Sequence, residues 1–315
     1  MLPMMIMIGT NGKTTKNLNK KILVIGGNSL IGSTFVQYAK DFYDLCMTTH
    51  TTSLSETNFN TINVDLLENA NKIIDLIADY KPNYIIHCVA FPNVDFCENN
   101  QDLANILHVD RTKDIAQISY EIGSKLIYFS TDAVFDGNSS KKYNETDLPN
   151  PLSHYGKTKL KAEKILLDYE INTILRTTVV YGWHPRSRFT KWIINSLKNN
   201  QKVGAFVDQH NTPTLVDDIA KVILKIIEKD LTGLYNAVGT TCLSRNEFAL
   251  KIAKKFELNE KLIIPTSSDE QKQLALRPKN GCLDNSNLEN IIDFKFSNID
   301  EGIDIIYEKS KLNYS

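Results

Sequence analysis

From Lys21 onward, short and almost wholly apolar segments alternate with stretches of helical periodicity, and this alternation constrains the fold more than any other feature. Lys21-Ile22-Leu23-Val24-Ile25 and Tyr84-Ile85-Ile86-His87-Cys88-Val89 lack the apolar/polar alternation of a sheet with one wet face. Strands that are apolar throughout are covered on both faces, which is the habit of a parallel sheet flanked by helices. Strand-like runs fall at 22–25, 45–48, 61–64, 84–90, 125–130, 173–180 and 234–238. Apolar spacing predicts helices over 30–43, 67–80, 103–122 and 155–169. The expected fold class is α/β, a doubly wound parallel sheet.

Past Tyr181 the pattern turns irregular. Helical pieces at 191–198, 217–229 and 245–256 sit among turn-rich connectors, which predicts a smaller C-terminal lobe over 182–315. The strand at 234–238 is expected to rejoin the main sheet of 21–181, so the halves interleave. Residues 1–20 read as a flexible leader. Its segment Gly9-Thr10-Asn11-Gly12-Lys13-Thr14-Thr15 looks like part of a phosphate loop, but such a loop needs a full helix behind it, and 16–20 leave no room for one. A formal charge of −1 gives no basic footprint for nucleic acid. No apolar run is long enough for a membrane span. Five cysteines, an odd number without a Cys-x-x-Cys, fit neither a disulfide framework nor a zinc knuckle, and a reducing, cytoplasmic setting is expected. The six histidines show no ligand spacing, so no metal is expected.

The first strand runs into Gly26-Gly27-Asn28-Ser29-Leu30-Ile31-Gly32. Glycines at a strand-to-helix turn let the backbone approach a pyrophosphate, while the helix start offers amides and partial positive charge. Gly26, Asn28, Ser29, Leu30, Ile31 and Gly32 are therefore cofactor-binding candidates. No acid ends the second strand, Leu45-Cys46-Met47-Thr48-Thr49-His50-Thr51-Thr52, where one would hold the ribose 2′-hydroxyl of NAD. Hydroxyls and His50 suit a 2′-phosphate instead, so NADP(H) is favoured over NAD(H). Asp65, with Leu66 beside it, is either a partner for the adenine amino group or a helix cap.

Tyr155 and Lys159 stand at i and i+4, neighbours on one helix face. Spacing alone proves little, since Tyr307 and Lys311 repeat it with no chemistry beside them. Context separates the two. Tyr155 follows a Pro149/Pro151 turn, and a preceding strand ends in Ser130-Thr131-Asp132, at the carboxyl edge where parallel sheets meet their ligands. Thr131, Tyr155 and Lys159 are the expected catalytic set. The ammonium is expected to lower the phenol pKa below its usual ~10, and Thr131 to hold a substrate oxygen.

These segments resemble extended short-chain dehydrogenases, specifically the dTDP-4-dehydrorhamnose reductase family. The resemblance rests on Phe129-Ser130-Thr131-Asp132-Ala133-Val134-Phe135-Asp136-Gly137, on Pro151 through Leu160, and on Leu175-Arg176-Thr177 with Val180-Tyr181-Gly182. Asp208-Gln209 with Pro213-Thr214, Asp217-Asp218-Ile219-Ala220, and Arg277-Pro278 with Leu283-Asp284 extend it to the C-terminal half. It implies a Rossmann fold, a nicotinamide cofactor and a nucleotide-linked 4-keto-6-deoxy sugar, reduced at C4 while Tyr155 donates a proton. It further implies that Lys159 holds the nicotinamide ribose and that Val89, Ala90 and Phe91 line the cofactor. Asp132, Val134, Phe135, Val179, Gln209 and Arg277 would meet the sugar nucleotide.

Departures from the family pattern are Ser29 for the middle glycine, Val179 for a frequent Trp, Gly281 for Ser and Ala133 for Tyr. They leave the cofactor chemistry intact and the sugar open. Arg188, in the basic run His184-Pro185-Arg186-Ser187-Arg188, is either a diphosphate contact or part of a solvated loop. Two further readings stand beside the reductase. His87–Ala90, Tyr155–Leu160 and Arg277–Asn280 also resemble the regulatory β subunit of methionine adenosyltransferase, a nicotinamide-nucleotide binder that acts as a partner protein. A sugar-nucleotide epimerase or dehydratase is the third. A homodimer is the one oligomer expected.

Overall fold

The computed structural model describes residues 20–50, 60–271 and 273–312. The phosphate-loop-like segment of the leader lies outside the described residues. In chain order the first half comprises β1 (Lys21–Ile25), α1 (Leu30–Ala39), β2 (Asp44–Thr49), β3 (Asn60–Asn63), α2 (Ala70–Tyr80) and β4 (Tyr84–His87). It continues through α3 (Val94–Asn99), α4 (Gln101–Asn105), α5 (Arg111–Glu121), β5 (Lys125–Thr131), α6 (His154–Leu167) and β6 (Thr173–Thr177). The second half holds β7 (Val180–Tyr181), α7 (Arg188–Lys198), β8 (Val203–Phe206), β9 (His210–Asn211), β10 (Thr214–Leu215) and α8 (Val216–Lys229). After these come β11 (Gly233–Asn236), β12 (Leu243–Ser244), α9 (Arg245–Lys255), β13 (Ile263–Thr266), β14 (Asn280–Gly281), α10 (Ser286–Ile292) and α11 (Ile299–Leu312).

Seven parallel strands form the main sheet in the order β11-β6-β5-β4-β1-β2-β3. This is the Rossmann-like α/β fold. Strand order reverses between β1 and β4, which opens a crevice at their carboxyl ends. The apolar run of β1 serves both faces by the two-residue alternation of a strand. Ile22 and Val24 pack with Phe35 and Val36 of α1 and Ile219 and Ile223 of α8. Leu23 and Ile25 pack with Ile73 and Ile77 of α2, Ile115 of α5 and Leu166 of α6. A separate apolar cluster gathers Tyr181, Ile193, Phe248, Ile252 and Ile303 from the second half of the chain. No helix among the described residues is long and apolar enough to cross a membrane.

Three sequence expectations need correction. The run at 173–180 is not one strand: β6 stops at Thr177, Val179 takes a positive φ of 43°, and β7 joins a different sheet with β10. The helix expected over 103–122 is broken by a π turn at Ile106–Asp110 between α4 and α5. The expectation that the cysteines are unpaired also fails: Cys242 and Cys282 form a disulfide, while Cys46, Cys88 and Cys97 stay free. Cys242 immediately precedes β12 and Cys282 follows β14. Both strands pair with β9, so partners distant in sequence become neighbours through a small sheet that the sequence does not announce.

Candidate active site

An open cleft of about 250 Å³ lies over the carboxyl ends of β1, β2 and β4. Gly26, Asn28 and Ser29 form one wall, and Thr48, Thr49 and His50 extend from β2. Val64, Asp65 and Leu66 close the far end, while Cys88, Val89, Ala90 and Phe91 line the side below β4. Gly26 needs its lack of a side chain: its φ is +83°, and a Cβ there would stand 2.8 Å from Val89 Cγ2. A Cβ on Gly32 would meet the Gly26 carbonyl at 2.5 Å, so the first turn of α1 can pack this close only as glycine. Ser29 has ordinary extended dihedrals (φ −72°, ψ 168°) and caps α1, its hydroxyl oxygen accepting from Gly32 N–H at 3.0 Å. The missing middle glycine therefore costs the turn no strain.

The Gly26 amide donates to Thr48 Oγ1 at 3.1 Å, and Gly27 N–H to the Thr48 carbonyl at 2.8 Å, tying the turn to β2. Asp65 Oδ1 accepts from Leu67 N–H at 2.8 Å and Oδ2 meets His50 Nε2 at 2.7 Å. These bonds hold its carboxyl below the usual range and make it a turn-capping group paired with His50. Leu30, Ile31 and Gly32 belong to the helix start behind the wall and do not line the cleft. Ile31 packs into the sheet core.

Tyr155 and Lys159 ride on α6, whose N-cap Ser153 accepts from Gly156 N–H at 3.2 Å. The two do not pair as expected. Lys159 is buried, and its ammonium sits 4.0 Å from the centre of the Tyr128 ring on β5. Burial lowers the Lys159 pKa to about 7, against the opposing pull of Glu163. Burial raises that of Tyr155, and the nearby Asp132 charge adds to it, while the Thr131 hydroxyl facing the phenol pulls the other way. The expected lowering of the phenol by Lys159 is thus corrected: desolvation wins, and the phenol stays protonated around neutral pH.

His108 braces this helix from the π turn, a distortion frequent at functional sites. Its Nε2 accepts from Phe91 N–H at 2.9 Å, so Nδ1 carries the proton and donates to Thr158 Oγ1 at 2.9 Å. Its ring meets that of Tyr155 edge-on, with centroids 5.7 Å apart. Burial drives its pKa down to about 2, so it stays neutral. His108 thereby connects the cleft wall at Phe91 to the helix bearing the phenol, a link carried by tertiary contacts and missed in the sequence.

Thr131 ends β5, and its hydroxyl donates to Asp132 Oδ1 at 3.0 Å. Asp132 is buried and receives Asn211 Nδ2 at 2.7 Å on its other oxygen. Burial pushes its carboxyl up while the Arg245 charge nearby draws it down. Asn211 and Arg245 were not singled out from sequence, because nothing in their local pattern marks them. Gly281 completes this group: a Cβ there would lie 2.3 Å from Asp132 Oδ2, so a Ser at this position would collide with the carboxylate.

Other expected substrate contacts are dispersed. Val134 and Phe135 are fully buried in a cluster with Tyr143, Val238 and Leu283, so their side chains brace the site from within the core. Val179 packs on the C-terminal cluster with its strained backbone. Gln209 is buried and donates to Gln273 Oε1 at 2.7 Å. Arg277 is held bidentately by Asp95 at 2.8 and 3.1 Å. Arg188 opens α7 and is exposed. Its neighbour Arg186 lines the cleft instead.

Residues 20–311 match the family model for the RmlD substrate binding domain. The chain is 34% identical to a dTDP-4-dehydrorhamnose reductase of Aggregatibacter actinomycetemcomitans, over 69% of this chain and 78% of that protein. It is 35% identical to methionine adenosyltransferase 2 subunit beta of Bos taurus, over 72% of this chain and 70% of that one. The structure superposes on the dTDP-4-dehydrorhamnose reductase of Bacillus anthracis in complex with NADP, with a TM-score of 0.81, 26% identity and coverage of 92% and 99%. The chain therefore belongs to the RmlD substrate binding domain family.

Proposed function

We propose that this protein reduces the 4-keto group of a nucleotide-linked 4-keto-6-deoxy sugar, in deoxysugar and surface-polysaccharide biosynthesis, with NADPH favoured and NADH as the alternative donor. The observation that carries the reading is the half-buried Tyr155 phenol, kept protonated by desolvation and facing the Thr131 hydroxyl, beside a cleft whose glycine turn admits a pyrophosphate. The residues present fit a nicotinamide dinucleotide: Gly26 lines the cleft at the foot of α1 with a positive φ and no room for a Cβ beside Val89, so main chain faces the space a pyrophosphate would take. When bound, that cofactor supplies hydride to the carbonyl carbon.

The chain's own groups do the rest. Thr131, whose hydroxyl donates to Asp132 in this structure, would turn that one proton to the carbonyl oxygen when the sugar binds. Tyr155 donates its proton to that oxygen as negative charge grows, an assistance that typically contributes ~10²–10⁴ in rate. Lys159, whose pKa burial lowers to about 7, would hold the nicotinamide ribose. Asp132, Gln209 and Arg277, with Asn211 and Arg245, bound the sugar-nucleotide end. The same reading assigns the protein to the cytoplasm, as a homodimer.

A second reading is a non-catalytic, dinucleotide-binding regulator, favoured by the 35% identity to the bovine methionine adenosyltransferase subunit. Purified protein incubated with NADPH and dTDP- or UDP-linked 4-keto-6-deoxy sugars distinguishes them. Oxidation of NADPH with formation of the 4-hydroxy sugar is expected. No oxidation, together with tight association with a methionine adenosyltransferase catalytic subunit, would establish the regulator instead.

A further inference from the structure

The glycine turn carries no cation of its own: Gly26 through Ser33 hold neither Lys nor Arg. Yet Arg186 reaches the same cleft from the opposite half of the molecule, out of the loop between β7 and α7. It is the only Arg or Lys lining the cleft among the described residues. We propose that Arg186 is the cationic side of the pyrophosphate cradle, held in position by His184. This rests on the reading of the cleft as a dinucleotide site and adds to it a phosphate contact from the C-terminal half.

The loop is pinned to the glycine turn by a directed hydrogen-bond chain. Ser33 Oγ donates to the Ser29 carbonyl at 2.6 Å, so its oxygen is left to accept from His184 Nε2 at 3.1 Å. That fixes the proton on Nε2 and leaves Nδ1 to accept the Arg186 backbone N–H at 3.1 Å. Ser187, next in the chain, accepts from Gly182 N–H at 3.1 Å and closes the turn from the other side. The position of Arg186 is thus tied through His184 and Ser33 to Ser29, the residue that caps α1 and lines the cleft.

Charge pairing separates Arg186 from other arginines of the chain. Arg277 is taken by Asp95 and Arg176 by Glu163. Among the described residues Arg186 has no carboxylate within ion-pair distance. A guanidinium with unspent donors beside helix-start amides suits a phosphate, which it can bind through two parallel N–H bonds. The anchor at Ser29 places it over the turn that takes the pyrophosphate, so its contact is common to NADPH and NADH.

The test is calorimetric titration of the full-length protein with NADPH and with NADH, for wild type, Arg186→Ala, Arg186→Lys, His184→Ala and the His184→Ala/Arg186→Ala pair. Arg186→Ala is expected to weaken both dinucleotides alike, by about 10- to 100-fold, the range of one charge-assisted hydrogen-bonded contact. Arg186→Lys should recover part of that loss. His184→Ala should weaken binding on its own but add nothing once Arg186 is gone, a non-additivity that general damage to the loop would not produce. Unchanged affinity in Arg186→Ala, with wild type binding normally, overturns the contact alone. A loss confined to NADPH also overturns it, since the guanidinium would then serve the 2′-phosphate. Wild-type protein that binds neither dinucleotide overturns the contact and the dinucleotide reading together.

Discussion

The dinucleotide end of the cleft is made mainly of backbone, whereas the sugar end is made of buried polar side chains. At the first, Gly26 and Gly32 let main chain approach main chain, Ser29 caps a helix, and a tight turn between β1 and α1 does most of the shaping. At the second, Asp132, Asn211 and Gly281 come from separate elements and meet around one carboxylate, with the Arg245 charge nearby. The first is a local design that any nicotinamide enzyme of this fold can reuse. The second is a set of mutually fitted parts, so changing one member disturbs the rest.

The largest effect is expected where both ends depend on one helix. Arg176 and Glu163 form a buried ion pair, with bonds of 2.8 and 3.0 Å, that fastens α6 to β6. Glu163→Gln leaves the guanidinium without its counter-charge and should cost about 3–5 kcal/mol in urea denaturation. It should lower the Lys159 pKa further, since Glu163 supports the ammonium. Next comes Lys159 itself. Burial depresses it to about 7, against 10.5 in the unfolded chain, so between these values the unfolded state binds the extra proton. Folding therefore strengthens as pH rises through that window, by at most about 1.4 kcal/mol per pH unit, and levels off below about pH 7, where both states are protonated. Lys159→Met should flatten this slope, as denaturant titrations across the window would show.

At the sugar end, Gly281→Ser forces a Cβ onto Asp132. Overpacking of this kind costs about 1–3 kcal/mol, and KM for the sugar nucleotide should rise while the dinucleotide Kd holds. An equal loss at both ends would break the division drawn here. The smallest effect belongs to the cofactor turn. Ser29→Gly exchanges one good helix cap for another and should change stability by only a few tenths of a kcal/mol, with dinucleotide affinity nearly unchanged.

The same division explains what could be read in advance. The sheet and the close-packed glycine turn depend on local pattern and were legible, and short spacing brought out Thr131, Tyr155 and Lys159 as candidates. The break at Val179 was not, because a β-branched residue is a poor advertisement for a positive φ. Val134 and Phe135 sit in a recognisable motif, yet only packing reveals that they face the core. The phenol's electrostatics were misjudged because spacing shows who is near whom but not how deeply each group is buried. Arg186 was visible within a basic run, but the bond from His184 to Ser33 spans 151 residues and selects it over Arg188 as the cleft-lining cation.

The central claim is that a half-buried, protonated Tyr155 delivers the proton in a nicotinamide-dependent keto reduction. It is tested most directly by rapid mixing of NADPH-saturated wild type and Tyr155→Phe with a dTDP-4-keto-6-deoxy sugar, following nicotinamide absorbance through one turnover. The account predicts a rate reduced by ~10²–10⁴ in the variant with its NADPH affinity intact. A variant that turns over as fast as wild type would contradict it.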